Sequence, residues 1–244
     1  MGVMIETAAV TVCALAVVRF LHVNGALGFQ WMAIPSVLVA AALVPAWIGK
    51  REFPRIGLDL DHTHLIAGTL GWVCLCILPA IFGGLWMLTS LNLPLPLRPI
   101  IPERQDWLAW LLYQFFYVAV AEEVFFRGYV QANVMRLVEM NHGLRPPVGA
   151  GDDMTAECGL NVPVAADDRE IRHSIAIIPI LVSAGCFALA HVVVQGQITS
   201  VLTFLPGLVL AWLFFRTGTL LAPILFHGLA NVSYALMSMA LLPP

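Results

Sequence analysis

Apolar and polar positions along this chain fall into long blocks rather than a fine alternation. The first block, about Met4 to Leu21, carries charge only near its ends, at Glu6 and Arg19. Without a basic segment ahead of it, it reads as a retained helix rather than a cleaved leader. A second helix is predicted inside Val23 to Gly49, a run without Asp, Glu, Lys or Arg that Lys50-Arg51-Glu52-Phe53-Pro54-Arg55 closes. A third lies in Leu65 to Leu97 and ends near Ser90, because the prolines of Pro94-Leu95-Pro96-Leu97-Arg98-Pro99 remove backbone donors and push their predecessors toward extended geometry. A fourth runs from near Gln105 to about Val138, long for one span and charged in its middle. Glu139 to His173 is polar, rich in Gly and Pro, and holds seven of the 15 acids; it reads as an extramembrane acidic loop. Ser174 to Phe215 is again free of charge and too long for one span. Gln195-Gly196-Gln197 is its natural break, giving helices five and six. Arg216-Thr217-Gly218 is a tight connection, and a seventh helix covers about Leu220 to Leu241. No internal repeat is evident.

Composition decides what these helices are for. Of the 244 residues, 60% are hydrophobic and 11% charged, with a formal net charge of -3; soluble domains carry about 25% charged residues. Mean hydropathy is +0.87. A soluble globule, a disordered chain and a nucleic-acid binder working through a basic surface are excluded. What remains is an all-α polytopic bundle of about seven spans (six to eight), one membrane domain over residues 1–244 with the lipid bilayer as its surroundings. Lys50, Arg51, Arg55, Arg136, Arg145, Arg169, Arg172 and Arg216 gather on one side, against Arg98, Arg104 and Arg19 on the other, which places the N-terminus in the cytoplasm. A bacterial inner membrane or an ER-type membrane fits. Of Cys13, Cys74, Cys76, Cys158 and Cys186, only Cys158 lies in a polar region, and no disulfide framework is expected.

Ionisable groups inside a span cost about 2.5 to 3.5 kcal/mol each at its centre and therefore need partners or a task. Three constellations stand out. In Glu122-Glu123-Val124-Phe125-Phe126-Arg127, Glu123 and Arg127 are four apart on one helical face and can pair. Glu122 is turned about 100° away, which leaves a carboxylate free to act as a general base. The spacing fits equally well two glutamates sharing Arg127 as packing glue. In Phe187-Ala188-Leu189-Ala190-His191 an aromatic ring sits one turn from an imidazole, although a lone membrane His is more often an interior hydrogen-bonded residue. In His227-Gly228-Leu229-Ala230-Asn231 two donors lie one turn apart, as an oxyanion site requires; a helix–helix hydrogen bond is the commoner use of such a pair. Glu122 lies 16 residues before Val138 and His191 17 after Ser174, so antiparallel neighbours bring them to one depth. His227, seven residues into its helix, joins them only if that helix starts inside the membrane or tilts strongly.

The three motifs together resemble the CPBP family, the CAAX-protease and bacteriocin-processing (Abi) group that includes type II CAAX prenyl endopeptidases. Its signature runs EExxxR, FxxxH, HxxxN, and here reads Glu122-Glu123…Arg127, Phe187…His191 and His227…Asn231 in that order. The resemblance covers residues 107–234 as the catalytic core; the first three spans are not diagnostic. It implies glutamic intramembrane proteolysis with no cofactor and no metal. On that implication Glu122 and His191 activate a water, His227 and Asn231 stabilise the oxyanion, and Glu123, Arg127 and Phe187 support the pocket. The substrate implied is a membrane-anchored protein or peptide cut near its C-terminus, either prenylated CAAX-type or sorting-signal-type. Residues 139–173 are long and acidic for this family core and read as a substrate-facing insertion.

Three other readings stand beside it. Two His and a Glu suit a zinc protease, although no HExxH occurs. Intramembrane Glu and His also suit a proton-coupled transporter. A non-catalytic scaffold or immunity protein needs the cavity but not the carboxylate. Oligomeric state leaves no mark in the sequence.

Overall fold

The computed structural model describes residues 2–24, 30–50, 53–54, 63–97, 106–142 and 174–241. These form seven helices: α1 (Gly2–Val23), α2 (Gln30–Ile48), α3 (Thr63–Ser90), α4 (Trp107–Asn141), α5 (Ile177–Gln195), α6 (Ile198–Thr217) and α7 (Leu221–Leu241). Six are long and apolar enough to cross a membrane; the apolar stretch of α2, Met32–Ile48, is shorter. The all-α polytopic expectation holds, and so do the breaks. Gly196 (φ 67) and Gly218 (φ 68) end α5 and α6 in the left-handed region that glycine enters without a steric penalty. Leu93 to Leu97 is non-helical, as its prolines dictate. It is tied across the end of the bundle by Ser200 Oγ donating to Pro96 O (2.7 Å) and Tyr234 Oη donating to Leu97 O (2.6 Å).

One boundary moves. α4 continues through Glu139 to Asn141, and Glu139 is buried, so the stretch expected as loop from Glu139 begins inside the helix. Residues 143–173 lie outside the described residues. At about 1.5 Å per residue, the 35 residues of α4 are far longer than the ~30 Å hydrocarbon core.

α4 is the post around which the bundle is built. Phe125, Phe126, Tyr129 and Val130 are all essentially inaccessible, packed among side chains of α1, α2, α5, α6 and α7. Lipid tails are as apolar as leucine, so close backbone approach and buried hydrogen bonds hold membrane helices together. Both occur here. A Cβ on Gly207 of α6 would lie 3.2 Å from the Phe187 ring and 3.4 Å from the backbone of Ala184 on α5. Gln131 Nε2 donates to Ala211 O (2.9 Å), and Ser183 Oγ donates to Phe126 O (3.0 Å). These bonds set the registers of α4 against α6 and of α5 against α4. α4 also winds as π-helix over Gln114–Ala119 and Val124–Gln131. π-helical turns are rare and concentrate at functional sites. The single α-turn between them, Val120–Glu123, carries both glutamates.

Candidate active site

Glu123 is fully buried at the α4 core. Its Oε1 takes a bond from Arg127 Nη1 (3.1 Å), the predicted i, i+4 pair, and a second from His227 Nδ1 (2.7 Å). A buried carboxylate needs both charge and donors around it. Arg127 in turn donates through Nη2 to Gly207 O (3.1 Å), and its Cζ lies 4.6 Å from the Phe187 ring centroid, a cation–π contact. Phe187 is the hub of the cluster. Its centroid is 4.4 Å from that of His191 and 5.7 Å from that of His227.

The two imidazoles have their tautomers set by what their Nδ1 atoms touch. His191 Nδ1 lies 2.9 Å from Phe187 O. A carbonyl can only accept, so Nδ1–H donates and the neutral ring leaves Nε2 as an acceptor. His227 Nδ1 faces the Glu123 carboxylate and is fixed the same way. Both Nε2 atoms then converge on Glu122 Oε2, at 4.0 Å from His191 and 3.8 Å from His227. Three acceptors around one point call for a shared proton or a water that donates between them. Glu122 Oε2 itself is buried and has no hydrogen-bond partner.

A cavity beside it holds about 130 Å³. Glu122, His191 and Gln195 supply its polar edge, and Leu15, Val18, Ile34 and Leu38 its apolar wall from α1 and α2. At ~30 Å³ per water it has room for several. The side chains of Glu122 and His191 keep 21% and 17% of their surface accessible, whereas His227 keeps 6% and lies on the closed side of Glu122.

The structure thus gathers six of the seven residues marked in the sequence: Glu122, Glu123, Arg127, Phe187, His191 and His227. His227, although only seven residues into α7, reaches the depth of the glutamates, its Nδ1 2.7 Å from Glu123 Oε1. A Cβ on Gly228 would fall 2.4 Å from Phe115 Cδ1, so only glycine lets α7 come this near α4. Asn231 is placed differently from expectation. Its Nδ2 donates to Gln114 Oε1 (2.9 Å), which pins the amide to α4. Gln114 is buried and had gone unmarked; a single amide in the apolar run from Trp107 to Ala121 was the available signal. Among the described residues no group of three or more His, Cys, Asp or Glu is set to hold a metal ion.

A family model described as type II CAAX prenyl endopeptidase Rce1-like matches residues 104–233. The chain belongs to this family. The match spans just over half of the 244 residues and takes in α4 and most of the chain through α7, with all three motifs. No curated protein and no solved structure matches the chain. The Rce1-like family is one of CAAX-type intramembrane proteases, so its members' chemistry is peptide hydrolysis inside a multi-pass membrane protein.

Proposed function

We propose that the protein is a glutamic intramembrane endopeptidase that cuts a membrane-tethered protein or peptide near its C-terminus. The observation that carries this reading is the convergence of His191 Nε2 and His227 Nε2 on Glu122 Oε2, at 4.0 and 3.8 Å, beside a cavity with one apolar wall. A water lodged between Glu122 and His191 gives its proton to the Glu122–His191 pair as its oxygen attacks the scissile carbonyl. The tetrahedral oxyanion is met by an N–H of Asn231, and by His227 Nε2 when that atom carries the proton the three acceptors share. Glu123, bonded to Nδ1, orients the His227 ring in the way a carboxylate orients a catalytic imidazole. Collapse of the intermediate breaks the C–N bond, and the proton held by Glu122 passes to the leaving amine. Gln114 holds Asn231, and Arg127 holds Glu123. The positive-side count puts the N-terminus in the cytoplasm and the Gln195 end of the bundle, where the cavity lies, on the opposite face.

The test is Glu122→Gln, an isosteric change, in purified protein supplied with a C-terminally anchored substrate. Loss of a general base lowers turnover by about 10²- to 10⁴-fold, with the thermal midpoint in detergent unchanged. His191→Ala gives a loss of similar scale, and wild-type activity survives strong chelators. Cleavage by Glu122→Gln at the wild-type rate overturns the mechanism.

A further inference from the structure

A second hollow lies away from the candidate active site, between α3 and α6. It holds about 410 Å³, and its walls include His64, Leu65, Gly68, Trp72 and Val73 of α3 and Trp212 of α6. It shares no residue with the cavity of Glu122 and His191. Consecutive spans alternate in direction, so the first turns of α3 and the last turns of α6 lie at one end of the bundle. Gly68 opens the floor of the hollow: a Cβ there would meet nothing within 4 Å. Trp72 and Trp212 are both exposed beside it, and tryptophan favours the boundary between hydrocarbon and water. The polar groups gather at that boundary. His64 offers a ring N–H in any protonation state. Arg216 lies one turn after Trp212 on the same face of α6, and helical side chains lean toward the N-terminus, which brings its guanidinium back over the hollow. Arg216 is exposed, and none of the ion pairs among the described residues uses it. The positive-side count puts this end of the bundle at the cytoplasmic face, where the membrane surface is negative because of its anionic lipids.

We propose that this hollow binds an anionic phospholipid, with Arg216 and His64 on the phosphate and one acyl chain lying over Gly68 between Trp72 and Trp212. From His64 to Trp72 the helix advances about 12 Å. A chain that enters at headgroup level and follows α3 that far reaches well into the ~30 Å hydrocarbon core. Arginine meets phosphate through charge-assisted, bidentate hydrogen bonds. The acyl chain gains only contact, because the surrounding lipid is as apolar as the groove. Choice among lipids therefore rests on the headgroup, and the groove fixes where the lipid sits. A second copy of this chain fits less well, since a two-fold contact would bring the same positive face against Arg216. The bound lipid fastens α3, the least covered of the six apolar spans with 6% of its apolar stretch buried, against α6. This site is independent of the protease reading.

The test uses the whole chain in an uncharged detergent, with the thermal midpoint followed as dioleoyl phosphatidylglycerol, dioleoyl phosphatidylcholine or inorganic phosphate is added. Phosphatidylglycerol at about ten times its dissociation constant raises the midpoint by about 3 °C or more. Phosphatidylcholine at the same mole fraction raises it by less than about 1 °C, and inorganic phosphate leaves it in place. Arg216→Gln brings the phosphatidylglycerol shift down to the phosphatidylcholine level, and Arg216→Lys keeps most of it. Gly68→Leu fills the hollow without meeting other protein atoms at its Cβ, so it removes the phosphatidylglycerol shift and leaves the lipid-free midpoint unlowered. Equal shifts from the two lipids overturn the proposal, as does a full phosphatidylglycerol shift in Gly68→Leu. Inorganic phosphate that stabilises as well as the lipid overturns it in favour of a simple anion site. A dimer in lipid-free detergent that Gly68→Leu converts to monomer overturns it in favour of a second copy. All of these readings are taken without substrate, so they stand whether or not the chain cleaves peptides.

Discussion

α3 and α5 are both apolar helices with no Asp, Glu, Lys or Arg, and their sequences look alike in hydropathy, 2.2 against 2.4. Their fates differ. Only 6% of the apolar stretch of α3 is buried inside the protein, against 39% for α5. α3 turns Trp72, Leu75 and Trp86 outward, each more than half exposed, and buries only Ile66 and Leu85 fully. α5 gives Ser183 to a carbonyl of α4, Phe187 to Arg127, and His191 to Glu122. Hydrophobicity places a helix in the bilayer; polar and small residues decide which neighbour it meets there.

Substitutions on the two sides of that divide should separate sharply. The largest effect falls on Arg127→Met. It leaves the buried Glu123 carboxylate without its guanidinium and frees Gly207 O, and stability in detergent falls by about 3–5 kcal/mol, read from the unfolding midpoint. Gly228→Ala is next. The new methyl must displace Phe115, at a cost of about 1–3 kcal/mol, and cleavage falls because His227 moves with α7. A Gly228→Ala protein with wild-type stability and rate would refute the close α4–α7 contact. The smallest effect belongs to Trp72→Ala, 70% exposed on α3, which shifts stability by no more than about 0.5 kcal/mol in detergent and leaves cleavage unchanged. A large loss there would show that α3 faces protein rather than lipid.

Much of the architecture was legible because the bilayer enforces it. Long apolar runs marked α1 to α7, and the breaks at Gly196 and Gly218 fell where glycine permits a left-handed turn. The end of α4 was missed by three residues because Glu139, a charge that signals loop, is buried within the helix. The Glu123–Arg127 pair followed from i, i+4 spacing alone, since both partners sit on one helix. Asn231 did not follow in the same way. Its helical spacing from His227 promised a shared target, but its amide is bonded across to Gln114, a contact between residues 117 apart in the chain.

The sequence by itself determined that this chain lives in a membrane, how many helices it uses, and which few polar side chains it keeps there. Each of those follows from the cost of placing charge in hydrocarbon, which is local and leaves its mark on composition. Only the tertiary structure decided that both imidazoles turn Nε2 toward Glu122, that His227 leans on Glu123, and that α1 and α2 wall the cavity. Those depend on the depth at which one helix meets the next, and that depth is set by contacts such as Gly228 against Phe115 and Arg127 against Gly207.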